Sequence, residues 1–378
     1  MRQGIFSRGK RGAGMSDVLR TVTFGVIAYN EHRYLPDLLD DLLKQTYSKR
    51  RIDVILVDGN SSDGTWEIMQ SFQRTYSAEY RDIKVLKNDR RIQPSGWNVV
   101  IKNTKTDVLL RIDAHARLPE DFIEVSMDCI ASGEFVCGGS RENIIDEDTP
   151  WKRMLLNAEK SVFGSGMASY RQDTKERKYV KSLFHGAYRR EVLETVGLFN
   201  EELIRTEDNE YHFRIRKLGY HICYDPQIHS YYQTRSSLKG MIEQKYLNGC
   251  WIGRTLFVCP GCISMFHIVP LAFVFGILLT TLIGICGIPW PAKILWIMYG
   301  SANLLMTVTA IIGNREKSPH SFALPMVFLL LHVSYGVGTM QGIADIAVKK
   351  ILGGGYGQEV NDFYSGIVSC LLMTGVIL

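Results

Sequence analysis

The 378-residue sequence has no cysteine spacing that reads as a disulfide framework: its eight cysteines stand at 129, 137, 223, 250, 259, 262, 286 and 370. Scattered thiols of this kind read as reduced, as in a protein facing the cytosol. The first twenty residues carry Arg2, Arg8, Lys10, Arg11 and Arg20 but no apolar core, so they do not read as a secretory signal. Residues 1–20 are expected to be a disordered basic leader, with Met15 as an alternative start. Internal repeats and low-complexity tracts are absent too. Cys259-Pro-Gly-Cys262 has redox-motif spacing, but it borders an apolar region instead of following a strand, which speaks against redox or zinc chemistry there.

What is present is a sharp asymmetry. Charges run through the chain to about residue 255, and then the composition changes. The stretches 265–288, 292–312 and 321–343 are apolar or nearly so. Each can cross a hydrocarbon layer of roughly 30 Å, which needs about 20 helical residues. A fourth, 363–378, is shorter. Three such segments joined by short polar loops read as a membrane region in preference to buried core helices. The chain therefore divides into the leader, a domain over 21–258, and a membrane region over 259–378 with three to four hydrophobic helices. Placing the 21–258 domain in the cytoplasm puts Arg315 and Lys317 inside, as the positive-inside rule prefers. It leaves Lys349 and Lys350 outside, unless 321–343 is re-entrant or the region after residue 343 lies in the interface.

The polar part alternates strands and helices. Residues 21–28, 52–57, 83–88 and 106–113 read as strands; helices are expected over 34–45, from Thr65, and over 96–104, with a further strand near 134–143. Nearly all-apolar strands alternating with amphipathic helices point to a mostly parallel sheet covered on both faces. Ligands of such sheets bind at the carboxyl ends of the strands. Asn30-Glu31, Asp58 and Asp113-Ala114-His115 all fall at such ends, so three unrelated stretches converge on one crevice.

Each of these residues also has an ordinary explanation. Asp58 can accept hydrogen bonds from a ribose or a base edge, whereas Asp63 reads as a helix cap before Thr65. Asp113 and His115, at i and i+2 of an extended end, share a face and could hold a divalent cation, or are a turn aspartate beside a solvated histidine, the reading that the pair taken alone favours. A mixed carboxylate and imidazole set suits Mn²⁺ or Mg²⁺ better than a closed zinc site. Glu207-Asp208 opens a helix, where acids complement the dipole, or supplies a general base. His229 is an ordinary histidine or a ligand arriving from afar.

Taken in order, "VIAYNEHRYLPDLLDDLLKQTY", "ILVDGNSSDGT", "DAH", "HGAYRREVLETVGLFNE" and "EDNEYHFRIRKLGY" resemble a glycosyltransferase of family 2. The likeness covers roughly residues 20–345. Through Asp-Ala-His, "SSLKGMIEQKYLNGCW" and the tail with "HVSYGVGTMQG", it is nearest to members that build exopolysaccharides. The resemblance implies an α/β, GT-A (Rossmann-like, mostly parallel) catalytic domain followed by transmembrane helices, and a nucleotide-sugar donor, with UDP expected. Asp58 would hold the uridine, and Ala28, Tyr29, Asn30 and Glu31 would line the base pocket. Asp113 and His115 would bind Mn²⁺ or Mg²⁺ bridging the donor diphosphate, with His229 as a third ligand. Asn98 in "QPSGWN" would sit near the nucleotide, Arg235 would meet the diphosphate, and Asp208 would be the catalytic base.

One base without an enzyme nucleophile implies a single displacement with inversion. Processive members carry Gln-x-x-Arg-Trp; here the place reads Gln233-Thr-Arg235-Ser236, which implies one sugar per cycle. The expected acceptor is a saccharide on a polyprenyl diphosphate, with membrane lipid as the other partner and no nucleic acid. Transfer to a polyprenyl phosphate is the near alternative, and an inactive membrane scaffold the distant one.

Overall fold

The computed structural model describes residues 21–164, 175–234, 237–313 and 318–352. They fall into two compact units: Met1–Arg141, Asp173–Phe199 and Tyr211–Tyr231 in the first, and Glu142–Gln172, Asn200–Glu210 and Tyr232–Leu378 in the second. The basic leader and the apolar stretch 363–378 lie outside the described residues.

The first unit begins with β1 (Val22–Ala28), α1 (Leu35–Leu43), β2 (Ile52–Asp58), α2 (Thr65–Tyr76), β3 (Asp82–Lys87), α3 (Gln93–Asn103) and β4 (Val108–Asp113). Every residue of β2 is buried. Its alternation serves both faces: Ile52, Val54 and Leu56 join Leu35, Leu38 and Leu42 of α1 in one core, while Ile55 and Val57 join Trp97 and Val100 of α3 in another. That is the physical reason the strand reads as apolar throughout. β1 pairs in parallel with β2 and β4, and β2 with β3, in registers that set Ala28 beside Asp58, Ile27 beside Asp113 and Asp58 beside Lys87. All four strands therefore end on one edge of the sheet.

Beyond β4 the chain adds β5 (Ala116–Arg117), α4 (Phe122–Ala131), β6 (Val136–Ile144), α5 (Pro150–Lys160), β7 (Lys178–Tyr179), β8 (Gly186–Arg189), α6 (Arg190–Val196), α7 (Glu207–Lys217) and β9 (Ile222–Gln233). The sheet order is β3-β2-β1-β4-β8-β6-β9-β5, with β7 on β9. β8 lies antiparallel to both β4 and β6. The parallel arrangement read from the sequence thus holds over the first four strands, and the complete sheet is mixed.

The second unit contains α5 and four long helices: α8 (Leu238–Val258), α9 (Met265–Ile285), α10 (Trp290–Gly313) and α11 (Leu324–Leu352). Three helical stretches, Met265–Ile285, Trp290–Gly313 and Pro319–Val348, are long and apolar enough to cross a membrane, with mean hydropathies of 2.5, 1.6 and 1.6. α11 runs past the expected end at 343 to Leu352. α8 packs on α11 through glycines on both partners. A Cβ on Gly249 would stand 2.1 Å from the Tyr335 carbonyl oxygen, and one on Gly342 would stand 2.0 Å from that of Cys250. Side chains are excluded at both positions because the two backbones touch.

Candidate active site

Two loops at the carboxyl edge of the sheet are laced together. Asn30 adopts a left-handed backbone, φ 55°, and its Oδ1 accepts from the Ser62 amide at 2.9 Å. The Asn30 amide donates to Ser61 Oγ and the Glu31 amide to Thr65 Oγ1, each at 2.9 Å. Asp63 is less a cap than a bridge: Gly64 occupies the cap position of α2, while Asp63 accepts from the amides of both Thr65 and His32. The loop after β1 is thereby held on the loop after β2, with Tyr29 exposed beside them.

Asp58 ends β2 with no exposed surface. Its carboxylate accepts from the Asn60 amide at 3.1 Å, the Ser61 amide at 3.2 Å and Lys87 Nζ at 2.8 Å. Lys87 Nζ lies 3.7 Å above the Trp66 ring, and the side chain stays partly exposed. The sequence reading missed Lys87; its only signal is the parallel register that sets it opposite Asp58.

On the other flank of β1, Asp113 ends β4 and has no hydrogen-bond partner among the described residues. Two residues on, His115 Nδ1 meets Glu31 Oε1 at 2.9 Å. A carboxylate only accepts, so Nδ1 carries the proton; in the neutral ring that is the tautomer whose Nε2 could ligate a metal. Glu31, expected only to line the base pocket, therefore orients His115. No three His, Cys, Asp or Glu side chains gather as a metal cluster among the described residues. His229 is not brought into such a set; its Nδ1 is 2.7 Å from Ser140 Oγ on the neighbouring β6. The donor chemistry fits a cation held by Asp113 and His115 alone, its remaining positions left for substrate oxygens and water.

His185, to which the sequence assigned no role, lies just before β8, where Gly186 pairs with Arg111 of β4. It is buried, its Nδ1 is 2.9 Å from Ser230 Oγ, and burial pushes its pKa down to about 3 while Asp113 pulls the other way. A neutral imidazole therefore backs the Asp113 end of the strand.

The remaining expected residues fare differently. Asn98 is 2% exposed; its amide donates to the Phe199 carbonyl at 3.1 Å and accepts from the Phe199 amide at 2.8 Å. That pair of bonds ties α3 to the segment after α6. Arg235 lies outside the described residues. In the first turn of α7, Glu207 and Glu210 are 2% and 8% exposed, whereas Asp208 is half-buried and takes its own neighbour's amide, Asn209 N–H, at 2.8 Å. Of the three acids that complement the helix dipole, Asp208 is the least buried.

Residues 23–197 match the model of "Glycosyl transferase family 2". The chain is 26% identical, over 83% of its own length and 94% of the relative's, to the dolichyl N-acetyl-alpha-D-glucosaminyl phosphate 3-beta-D-2,3-diacetamido-2,3-dideoxy-beta-D-glucuronosyltransferase of Methanococcus voltae. It is 24% identical, over 84% of the chain and 93% of the relative, to the succinoglycan biosynthesis protein ExoA of Rhizobium meliloti. Among solved structures, S. aureus TarS 1-349 in complex with UDP-GlcNAc aligns with a TM-score of 0.47 and 16% identity, covering 90% of this chain and 95% of that one. Residues 23–197 thus form a family 2 glycosyltransferase domain, and the relatives matched over more than nine-tenths of their own length are named as a glycosyltransferase and a succinoglycan biosynthesis protein.

Proposed function

We propose that the enzyme is an inverting, metal-dependent transferase that moves one sugar per cycle from a UDP-sugar to a lipid-linked saccharide in the building of a cell-surface polysaccharide. The observation that carries the donor reading is the Asp58–Lys87 pair at 2.8 Å. Uracil presents an N3–H donor flanked by carbonyl acceptors. Asp58 would accept from the first by trading one of its three present donors, and the Lys87 ammonium would donate to O4, whereas cytosine presents an acceptor at N3 and an amino donor at C4. A site built to pair with polar edges rejects the wrong partner strongly, because its own groups are left unpaired. Tyr29 and the backbone of Asn30 and Glu31 would close over the base, and Arg235 would reach the diphosphate.

A divalent cation, Mn²⁺ or Mg²⁺, held by Asp113 and His115 would offset the charge that develops on the departing diphosphate. Glu31 keeps the His115 imidazole in the ligating tautomer. Asp208 takes the proton of an acceptor hydroxyl as that oxygen attacks the anomeric carbon in line, and UDP leaves from the opposite face. An α-linked donor then gives a β-linkage.

The acceptor reading rests on the apolar helices, which would hold the enzyme beside a lipid carrier with its catalytic domain in the cytoplasm, and on the Methanococcus relative, whose name specifies a dolichyl phosphate-linked sugar as acceptor. A bare polyprenyl phosphate would arrive already ionised and need no base; Asp208 therefore favours a hydroxyl.

Calorimetry of UDP and CDP on the detergent-solubilised protein, with Mn²⁺ and then with EDTA, tests the donor half. UDP binding that needs the metal and exceeds CDP binding is expected. Equal binding of the two nucleotides would remove the uracil reading, and binding indifferent to EDTA would remove the metal.

A further inference from the structure

Three helices have the length and hydropathy to cross a membrane, yet they are not alike. Only 6% and 11% of α9 and α10 is buried within the protein, against 44% for the stretch that includes most of α11. Few residues of α9 or α10 are buried, and Phe275, Leu278, Leu279, Leu282 and Ile285 on one and Ile294, Ile297, Met298, Leu304 and Leu305 on the other are exposed. α11 is apolar outward along one stripe only. Met326, Ala344, Val348 and Ile351 are exposed on it, with Val333, Val337 and Met340 half-exposed between them.

The opposite face of α11 is sealed to α8. Tyr246 meets Gly338, Gly249 meets Tyr335 and Thr339, Cys250 meets Gly342, and Gly253 meets Thr339 and Ile343. Positions rise together on both chains, so the helices run in the same direction in close contact over this length. Whatever depth α11 reaches, α8 must reach with it. But α8 carries Lys239, Glu243, Lys245 and Arg254, and its partners are charged as well. Arg254 pairs with Asp345 of α11 at 2.8 Å, and Lys245 with Glu159 of α5 at 3.2 Å. Drawing α8 and α11 into hydrocarbon would carry both ion pairs to bilayer depth and strip the exposed Lys239 and the partly exposed Glu243 of water.

We infer that only α9 and α10 cross the membrane, as a hairpin, and that α11 lies in the lipid interface with its apolar stripe against the acyl boundary and α8 at its back. An outward face that is apolar along a single stripe, with charge behind it, is what an interfacial helix requires. Residues before Met265 and after Gly313 then stay on one side of the membrane. Arg315, Lys317, Lys349 and Lys350 all fall on that same side, which removes the conflict with the positive-inside rule that three crossings create. The inference concerns how the chain meets lipid and is independent of donor and acceptor.

The test uses the full chain in sealed membrane vesicles of both orientations, labelled with a membrane-impermeant maleimide. In a background with Cys259, Cys262 and Cys370 changed to serine, Cys286, exposed at the α9–α10 turn, reports the far side. With Cys286 also changed, Glu79→Cys reports the side of the catalytic unit, and Lys349→Cys, a polar position of α11 outside its apolar stripe, is the unknown. Labelling of Lys349→Cys in the same vesicles as Glu79→Cys, and not in those that label Cys286, is expected. Labelling with Cys286, or from neither side, overturns the inference by placing the end of α11 across or inside the bilayer.

Discussion

Glu31 and His115, 84 residues apart, meet at 2.9 Å across the carboxyl edge of the sheet. Glu31 follows β1 and His115 follows β4, strands that lie side by side. In a neutral His115 the contact sets the proton on Nδ1. In the proposed site the two residues then have separable roles, one ligating and one orienting. His115→Ala should weaken Mn²⁺-dependent UDP binding, and Glu31→Gln should weaken it less, within the roughly 10- to 100-fold typical of a ligand's orienting partner. Calorimetry with and without EDTA measures both; an unchanged metal requirement in His115→Ala returns that residue to a solvated turn.

Asp208→Asn should lower transfer by about a hundred- to ten-thousand-fold, the usual worth of a positioned base. UDP affinity should stay near that of the unmodified enzyme. Turnover and calorimetry on the same preparation separate the two, and a parallel loss of UDP binding would make Asp208 a donor contact.

Asn98→Ala removes two buried hydrogen bonds to Phe199 and leaves that peptide group unpaired. The expected cost is about 1–3 kcal/mol of stability, with UDP binding by the folded fraction unaltered. A selective loss of UDP affinity at unchanged stability would restore Asn98 to the nucleotide site.

His212 is fully buried, hydrogen-bonded through Nε2 to the Tyr188 hydroxyl at 2.8 Å, and burial pushes its pKa down to about 3 with Arg111 and Arg216 acting the same way. In the unfolded chain it titrates near 6.5. The stability it contributes by staying neutral is complete above about pH 6.5 and is lost as pH falls from there toward 3, because the unfolded state then binds the extra proton. The slope is about 1.4 kcal/mol per pH unit for this one group. Urea midpoints of the solubilised protein between pH 7.5 and 5 should fall accordingly. His212→Asn should flatten the decline, and an equal slope in that variant would assign the acid sensitivity elsewhere.

Gly342→Leu would drive a side chain into the Cys250 backbone, where even a Cβ has only 2.0 Å. The variant should lose its monodisperse peak in detergent size-exclusion, whereas Gly300→Leu, at a position with nothing within 4 Å, should keep it. Equal behaviour of the two would mean that α8 and α11 can separate without harm.

The sequence by itself determined the elements that obey local periodicity. The near-continuous apolar run of β2, the i and i+3/i+4 leucines of α1, and the long apolar stretches of α9 and α10 each declare themselves within a few turns of chain. It also placed Asp58 and Asp113 at strand ends, because a run of apolar residues stopped at a carboxylate. What it could not supply were the pairings made by strand register and helix docking. Lys87 meets Asp58 only because β3 lies beside β2 in one register, and Asn98 serves Phe199 because α3 packs where the segment after α6 returns. The antiparallel half of the sheet was hidden for the same reason: strand direction is set by which strands pair, and short strands such as β8 carry too few residues to declare a partner. α8, too charged to read as a membrane element, was joined to α11 only by backbones brought together at glycines. Side-chain chemistry and period are written along the chain; which groups meet across it is decided by packing, where one residue's shift in register changes every partner.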